Sequence, residues 1–243
     1  MEERVLITGA ACRIGRAIAL ALAARGAKVI VHYNHSRDEA LSLLNILEGE
    51  GHSAIQCDFS DMAQVSDLIP ELCRRGTAPT ALVNNASVYT RVPLAESEPE
   101  ATEQCMRVNF HAPFELMRQF RKCVGKGAVV NLTDQRNAYP DPPSGVYGIA
   151  KKALQHVSEA AALEWAPQIR VNCIAPGIVL PPPGKSWEKM QPLLEKIPLR
   201  QRTTEEEIAQ AVILCLESPF LTGQTLFADG GLHLLGHSVE TRP

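Results

Sequence analysis

Short apolar runs alternate with longer amphipathic stretches, and this alternation restricts the possible folds more than any other feature. Several of the runs are continuously apolar, as expected for strands covered on both faces of a sheet. The strand candidates are Val5–Thr8, Lys28–Tyr33, Ser53–Asp58, Thr80–Asn84, Ala128–Thr133, Ile169–Ala175 and Thr225–Ala228. The helix candidates are Arg13–Arg25, Arg37–Glu50, Met62–Arg75, Pro99–Cys123, Val146–Trp165 and Thr204–Glu217. Strands that alternate with helices predict an α/β fold, a doubly wound parallel sheet with helices on both faces.

Composition and charge exclude several classes of protein. The 243 residues, 45% of them hydrophobic, suit a single domain over residues 1–243. A net charge of -3 gives no electrostatic basis for binding nucleic acid or an anionic membrane. The seven dispersed cysteines are typical of reduced thiols in a cytoplasmic protein, and the early first strand leaves no room for a signal peptide. The histidines show no metal-ligand spacing, so we predict no metal site.

A glycine-containing turn follows the first strand candidate, in Thr8-Gly9-Ala10-Ala11-Cys12-Arg13-Ile14-Gly15. Glycines at this position allow a sharp turn and a close approach of a pyrophosphate to the helix N-terminus. The placement between a strand and an amphipathic helix predicts a Rossmann-type nucleotide site formed by Gly9, Arg13, Ile14 and Gly15.

The end of the second strand predicts which nicotinamide cofactor is preferred. NAD-binding proteins usually place an acidic residue there for the ribose 2′-hydroxyl, and none occurs before Asp38. Cationic and hydroxyl side chains that suit a 2′-phosphate occur instead, so we predict NADPH. The residues assigned to this segment are His32, Tyr33, His35, Ser36 and Arg37, with Arg13 from the turn. The alternative is that Arg13 and Arg37 are solvated surface charges.

Further candidate residues follow the later strands. Asp58 and Phe59 end the third strand, where a carboxylate can accept the adenine amino group. Asn85, Ala86 and Ser87 follow the fourth strand. The proline-rich segment 176–198 is long for a connection, which predicts a lid or substrate loop, with a rigid surface excursion as the alternative. We assign Leu180 and Trp187 of this loop to the substrate site.

Three residues carry the candidate chemistry. Tyr147 and Lys151 stand four apart, so they share one face of a helix. We expect the nearby cation to lower the pKa of the phenol towards neutrality. Asp134 ends the preceding strand, thirteen residues before the tyrosine. A catalytic carboxylate is one interpretation, and a structural cap of the following loop is the other.

Taken together, these motifs resemble the short-chain dehydrogenase/reductase family over essentially the whole chain. The matching elements are Thr8-Gly9 to Gly15, Asp58, Asn84-Asn85-Ala86, Asn109, Tyr147 with Lys151, Pro176-Gly177 and Asp229-Gly230-Gly231. The resemblance implies that Tyr147 donates a proton and that Lys151 holds the nicotinamide ribose. It implies that Asn109 supports a relay water, or else is only a helix-kink residue. Pro176, Gly177 and Ile178 would lie against the nicotinamide, and the family suggests a homotetramer packed through Pro99–Cys123 and Val146–Trp165.

Two departures from the common family pattern resemble the pteridine reductase branch, which includes bacterial dihydromonapterin reductases. Arg13 replaces a glycine of the turn, and Asp134 replaces a serine. His35 stands where that branch commonly has an arginine. Tyr89 matches an aromatic residue that stacks on the pterin ring in this branch, or else is an ordinary loop aromatic.

The chemistry of a carboxylate favours the same branch. An ionised carboxylate would repel the oxyanion that forms when a carbonyl is reduced. Reduction of a C=N bond instead needs a proton on nitrogen, which Asp134 and Tyr147 can supply or relay. We therefore predict NADPH-dependent reduction of a dihydropterin, with Arg13, Ser87, Tyr89, Leu180 and Trp187 also facing the substrate. The alternatives are a carbonyl or 3-oxoacyl reductase of the same family and a non-catalytic NADP-binding sensor.

Overall fold

The chain folds around one seven-stranded parallel sheet with the strand order β3-β2-β1-β4-β5-β6-β7. The structure is a computed structural model and describes residues 3–89, 91–181 and 186–238. The strands are β1 Arg4–Ile7, β2 Lys28–Tyr33, β3 Ser53–Gln56, β4 Ala81–Asn84, β5 Gly127–Leu132, β6 Ile169–Pro176 and β7 Thr225–Ala228. The helices are α1 Arg13–Ala23, α2 Arg37–Leu44, α3 Met62–Arg74, α4 Pro99–Met106, α5 Ala112–Cys123, α6 Gly145–Glu164, α7 Trp187–Leu194 and α8 Glu205–Glu217. The predicted α/β class and the seven strands are confirmed.

Each face of the sheet is covered by its own set of helices. Val5 and Ile7 of β1 pack on one face with buried residues of α1 and α8. Leu6, between them, points to the opposite face and packs with buried residues of α3, α5 and α6. All three side chains have no exposed surface, which explains why the strand is continuously apolar.

Most predicted bounds agree with the observed ones to within two residues, and three predicted elements differ by more than that. The helix predicted over Arg37–Glu50 ends at Leu44, where the N–H of Ile46 bonds the carbonyl of Leu43 and tightens the chain into a turn. The helix predicted over Pro99–Cys123 is interrupted by a π-helical turn at Arg107–His111. The loop predicted over 176–198 contains helix α7, although Pro182 to Lys185 of that loop lie outside the described residues.

The strand order reverses direction beside β1, because β2 lies on one side of it and β4 on the other. In open parallel sheets, ligands bind at the carboxyl ends of the strands next to such a reversal. The predicted site residues follow β1, β2, β4 and β5, so the topology gathers them at one edge. No helix of the described residues is both long and apolar enough to cross a membrane.

Candidate active site

The ends of β1 and β4 are joined by hydrogen bonds around Thr8. Its hydroxyl oxygen accepts the N–H groups of Asn85 and Ala86, each at 2.9 Å. The amide of Asn85 in turn donates to the carbonyls of Thr8 at 2.9 Å and Gly9 at 3.1 Å. Asn85 and Ala86 therefore fix the glycine turn from the neighbouring strand.

The glycine turn leaves no space for side chains at its two glycines. Gly9 has φ +62°, in the region that favours glycine. A Cβ on Gly15 would lie 2.2 Å from the carbonyl oxygen of Gly9. Cys12, which precedes α1, makes no side-chain cap hydrogen bond, and the first turn of the helix has no acidic residue. These N-terminal N–H groups are therefore suited to an anionic ligand.

His32 has a different role from the cationic one expected. Its ring is 2% exposed, Nδ1 accepts the N–H of Gly9 at 3.0 Å, and Nε2 lies 3.0 Å from the carbonyl of Cys57. Burial lowers the pKa of His32 to about 4, with the Cys57 carbonyl acting in the opposite direction. The imidazole is therefore neutral near pH 7, and it supports the glycine turn from within the protein. A charged His32 beside a 2′-phosphate was a wrong expectation.

The other residues after β2 and β3 lie closer to the surface. His35 and Arg37 are exposed, and Tyr33 and Ser36 are half-buried. The Asp58 carboxylate accepts the N–H of Ser60 at 2.9 Å, which is the main reason that its pKa lies below the ordinary value. Phe59 is buried and stacks on His32 with ring centroids 4.4 Å apart, so its side chain belongs to the core.

Arg13 has a backbone conformation that most residues avoid. Its φ is +53°, which costs a side-chain-bearing residue about 1 kcal/mol. Glycine adopts this φ angle without strain, which explains why glycine is the common residue at this position of the turn. The guanidinium donates to the carbonyl of Pro181 at 3.2 Å, so it connects the glycine turn to the predicted substrate loop.

Tyr147 and Lys151 lie on one face of α6, as predicted from their spacing. The phenol donates a hydrogen bond from Oη to Oδ2 of Asp134 at 2.9 Å. The Lys151 ammonium donates to the carbonyl of Leu132 at 2.8 Å and lies 5.9 Å from the centroid of the Tyr147 ring. The structure thus brings all three predicted catalytic residues together at the ends of β5 and α6.

The expected lowering of the Tyr147 pKa is wrong for this structure. Burial, followed by the charge and hydrogen bond of Asp134, raises the Tyr147 pKa well above its ordinary value. Burial also lowers the pKa of Lys151 to about 8, although Asp134 opposes that shift. Burial and the carboxylate both favour the protonated phenol, and together they outweigh the opposing charge of Arg136.

The contacts of Asp134 fit both of the roles that the sequence left open. Its Oδ1 accepts the backbone N–H of Arg136 at 2.9 Å, which caps the short 3-10 helix Gln135–Ala138. Its Oδ2 accepts the Tyr147 hydroxyl. One carboxylate oxygen therefore orders the loop, and the other is directed to the candidate proton donor.

Asn109 lies at the π-helical turn, as expected of a kink residue. Its side-chain oxygen accepts the Ser87 hydroxyl at 2.7 Å, and its amide nitrogen donates to the carbonyls of Val88 at 2.8 Å and Cys105 at 3.0 Å. The side chain therefore fixes the loop after β4. Its role in a water relay stays a prediction.

Tyr89 forms an aromatic wall next to Tyr147, the candidate proton donor. Its ring meets that of Tyr147 edge to face, with centroids 4.8 Å apart and an interplanar angle of 87°. Tyr89 is 43% exposed, so part of the ring can still contact a ligand. Ser87, two residues earlier, is also exposed.

The residues predicted in the substrate loop contact different parts of the protein. The N–H of Gly177 bonds the carbonyl of Ala228 at 3.0 Å, which anchors the start of the loop between Pro176 and Ile178 on β7. Leu180 packs against the hydrophobic core rather than projecting freely. The Trp187 ring lies under the guanidinium of Arg202 at 4.8 Å, so its observed partner is that arginine.

Three residues near Asp134 were missed by the sequence reasoning. Arg136 donates to Asp141 at 2.7 Å, and the Ser144 hydroxyl also donates to Asp141. The signal in the sequence that could have indicated this cluster is a basic residue, Arg136, two positions after Asp134. Its contact with Asp141 depends on the conformation of the loop, which the spacing alone does not define.

Comparison with known proteins identifies the family. A family model described as enoyl-(acyl carrier protein) reductase matches residues 9–233. The chain belongs to the short-chain dehydrogenase/reductase family. This membership makes it an oxidoreductase with a Rossmann-like fold, in agreement with the resemblance drawn from its motifs.

Relatives within this family differ in the substrates that their names indicate. The chain is 28% identical to the 3-oxoacyl-(acyl-carrier-protein) reductase FabG of Staphylococcus epidermidis over 96% of the chain and 100% of that protein. It is 30% identical to pteridine reductase 1 of Leishmania tarentolae over 94% of the chain and 96% of that protein. A crystal structure of FolM alternative dihydrofolate reductase 1 from Brucella suis in complex with NADP has a TM-score of 0.87 and 32% identity, covering 96% of this chain and 95% of that one.

Proposed function

We propose that this oxidoreductase reduces a dihydropterin with NADPH. The observation that carries the proposal is the 2.9 Å hydrogen bond between the Tyr147 hydroxyl and Oδ2 of Asp134. The candidate substrates are dihydromonapterin and dihydrobiopterin, with dihydrofolate as a further one. The names of the pteridine reductase and FolM relatives support this substrate class.

The residues present fit NADPH, and the Brucella suis relative is in complex with NADP. The uncapped first turn of α1 offers backbone N–H groups to a pyrophosphate, and Gly9 and Gly15 allow the close turn beside it. Arg13, His35, Ser36 and Arg37 are the groups that would hold the 2′-phosphate. When bound, NADPH supplies a hydride to the substrate.

The protein residues hold and move the proton that must accompany that hydride. Tyr147 keeps its proton because burial and Asp134 raise its pKa. The proton would pass from the Tyr147–Asp134 pair to the ring nitrogen of the reduced C=N bond. The Lys151 ammonium, 5.9 Å from the phenol ring, would offset the negative charge left on the pair.

The hydrogen-bonding pattern favours a nitrogen heterocycle over a simple carbonyl. The Tyr147 proton points to Asp134, so a carbonyl oxygen arriving here would meet a carboxylate and not a second donor. A pterin carries amino and N–H groups that can donate to such a carboxylate. Tyr89 would provide the aromatic surface for the flat ring, and Arg13 would contact both phosphate and substrate.

A substrate panel tests this proposal directly. NADPH oxidation is followed by absorbance with a dihydropterin, dihydrofolate, a 3-oxoacyl thioester, or no acceptor. We expect turnover with the pterin. Turnover only with the thioester would establish the carbonyl reductase alternative, and no turnover with any acceptor despite NADPH binding would favour the sensor.

Replacement of Asp134 tests the mechanism. We expect Asp134→Asn and Asp134→Ser to lower kcat for the pterin about 100-fold, while the Kd for NADPH stays within about twofold. Asp67→Asn, on the exposed face of α3, is the matched control and should retain full activity. Pterin turnover that survives both Asp134 substitutions would refute the role of the carboxylate. The homotetramer and the cytoplasmic location stay predictions.

A further inference from the structure

Arg136 lies between two carboxylates beside the candidate catalytic pair. Its Nη1 is 3.3 Å from Oδ1 of Asp134, and its Nε donates to Oδ2 of Asp141 at 2.7 Å. The side chains of Asp134 and Asp141 are only 14% and 3% exposed. Two carboxylates so far from water need a cation and hydrogen bonds, and Arg136 supplies both to each of them.

The same cluster extends to the aromatic wall. The Ser144 hydroxyl donates to Asp141 and lies 3.4 Å from the Tyr89 hydroxyl. The Arg136 guanidinium is 5.8 Å from the centroid of the Tyr89 ring. Since Tyr89 also contacts Tyr147 edge to face, the cluster joins the ring wall to the proton donor.

We propose that Arg136 is a positioning residue, which holds Asp134 with Oδ2 towards Tyr147 and keeps Tyr89 in place against the same site. This proposal rests on the proposed function of Asp134. Arg136 binds Oδ1 through both its backbone N–H and its guanidinium, so Oδ2 is the oxygen directed to the phenol. Without the guanidinium, Oδ1 of Asp134 keeps only the backbone N–H, and the two poorly exposed carboxylates lose the cation that lies between them.

The expected result of removing the guanidinium is a loss of turnover rather than of binding. We expect Arg136→Met to lower kcat about 10- to 100-fold, because a shift of about 1 Å at a catalytic group has effects of this size. The Kd for NADPH should stay within about twofold. Arg136→Lys keeps the charge and one donor, so it should recover at least part of the lost kcat.

The control is Arg25→Met, which removes an arginine that also forms a two-bond ion pair, with Glu217, at 2.8 and 2.9 Å. This pair is half-exposed and joins the C-terminal ends of α1 and α8. We expect it to leave kcat unchanged. If Arg136→Met folds poorly, Asp141→Asn removes the second carboxylate while keeping the guanidinium, and it should lower kcat in the same direction.

A crystal structure of Arg136→Met separates this proposal from the proposed function. We expect the distance between Tyr147 Oη and Asp134 Oδ2 to lengthen by about 1 Å or more, whatever substrate the enzyme reduces. An unchanged distance, or a kcat within twofold of wild type on the substrate that the wild type reduces, would overturn the positioning role. Failure of the pterin assay alone would overturn the substrate assignment and leave this structural test intact.

Discussion

The contribution of Lys151 to the free energy of unfolding should increase as the pH rises from 7 to 9, and methionine at this position should remove that contribution. The ammonium is 2% exposed and donates to the carbonyl of Leu132. Burial is the main reason that its pKa falls from 10.5 to about 8. The charged form is therefore disfavoured in the folded protein relative to the unfolded chain.

The sign of the effect follows from proton binding. Between pH 8 and 10.5 the unfolded lysine keeps a proton that the folded lysine has released, so the free energy of unfolding rises with pH. With these two pKa values, the contribution of Lys151 to the free energy of unfolding increases by roughly 1 kcal/mol between pH 7 and 9. Buried thiols act in the opposite direction, since burial raises the pKa values of Cys57 and Cys173 to about 12. That contribution is the same in wild type and variant.

Urea unfolding of wild type and Lys151→Met at pH 7, 8 and 9 isolates the lysine. The free energy of unfolding of the wild type should rise relative to the variant by roughly 1 kcal/mol across this range. Lys122→Met, at an exposed position of α5, is the control and should follow the wild type. Parallel pH dependence in wild type and Lys151→Met would refute the assignment of a desolvated ammonium.

Two further predictions concern the glycine turn. Arg13→Gly should raise the free energy of unfolding by about 1 kcal/mol, because glycine adopts the positive φ without strain. The same change should weaken the binding of NADPH more than that of NADH. An equal loss of affinity for both cofactors in titrations would contradict a contact between Arg13 and the 2′-phosphate. His32 has a folded pKa of about 4 and an ordinary value of 6.5, so the unfolded chain binds more protons between these limits and stability falls as the pH drops. At pH 5 this effect of His32 should lower the free energy of unfolding by roughly 2 kcal/mol. Urea unfolding at pH 7 and pH 5 should show this decrease in the wild type and not in His32→Gln.

The fold could be predicted because several of its signals are local. Lys28–Tyr33 and Thr225–Ala228 have the same bounds in the sequence reading and in the structure. Continuous apolar runs define such strands, and their alternation with helices defines a parallel sheet. The break at Arg107–His111 does not follow from apolar runs, because the π-helical turn depends on the partners that Asn109 finds after β4; the helix-kink alternative for Asn109, which came from the family resemblance, did indicate it.

The site could be predicted only as far as spacing determines contact. Tyr147 and Lys151 share a helix face, so their proximity follows from their separation of four residues. The protonation of His32 and Tyr147 could not be predicted, because it depends on burial and on partners distant in sequence. Arg136 was missed for a similar reason, since its meaning comes from Asp141 and the path of the loop between them.

The raised pKa of Tyr147 bears on which atom can accept its proton. A phenol that keeps its proton over the physiological range holds the proton that reduction requires, but a raised pKa also makes it a weaker acid. Asp134 adds to this effect, because its charge opposes formation of a phenolate 2.9 Å away. The carboxylate that disfavours a carbonyl oxyanion therefore also favours a proton acceptor more basic than a carbonyl oxygen, such as the nitrogen of a C=N bond. A substrate that needs a proton on nitrogen, and donates its own N–H groups to a carboxylate, satisfies both conditions at once.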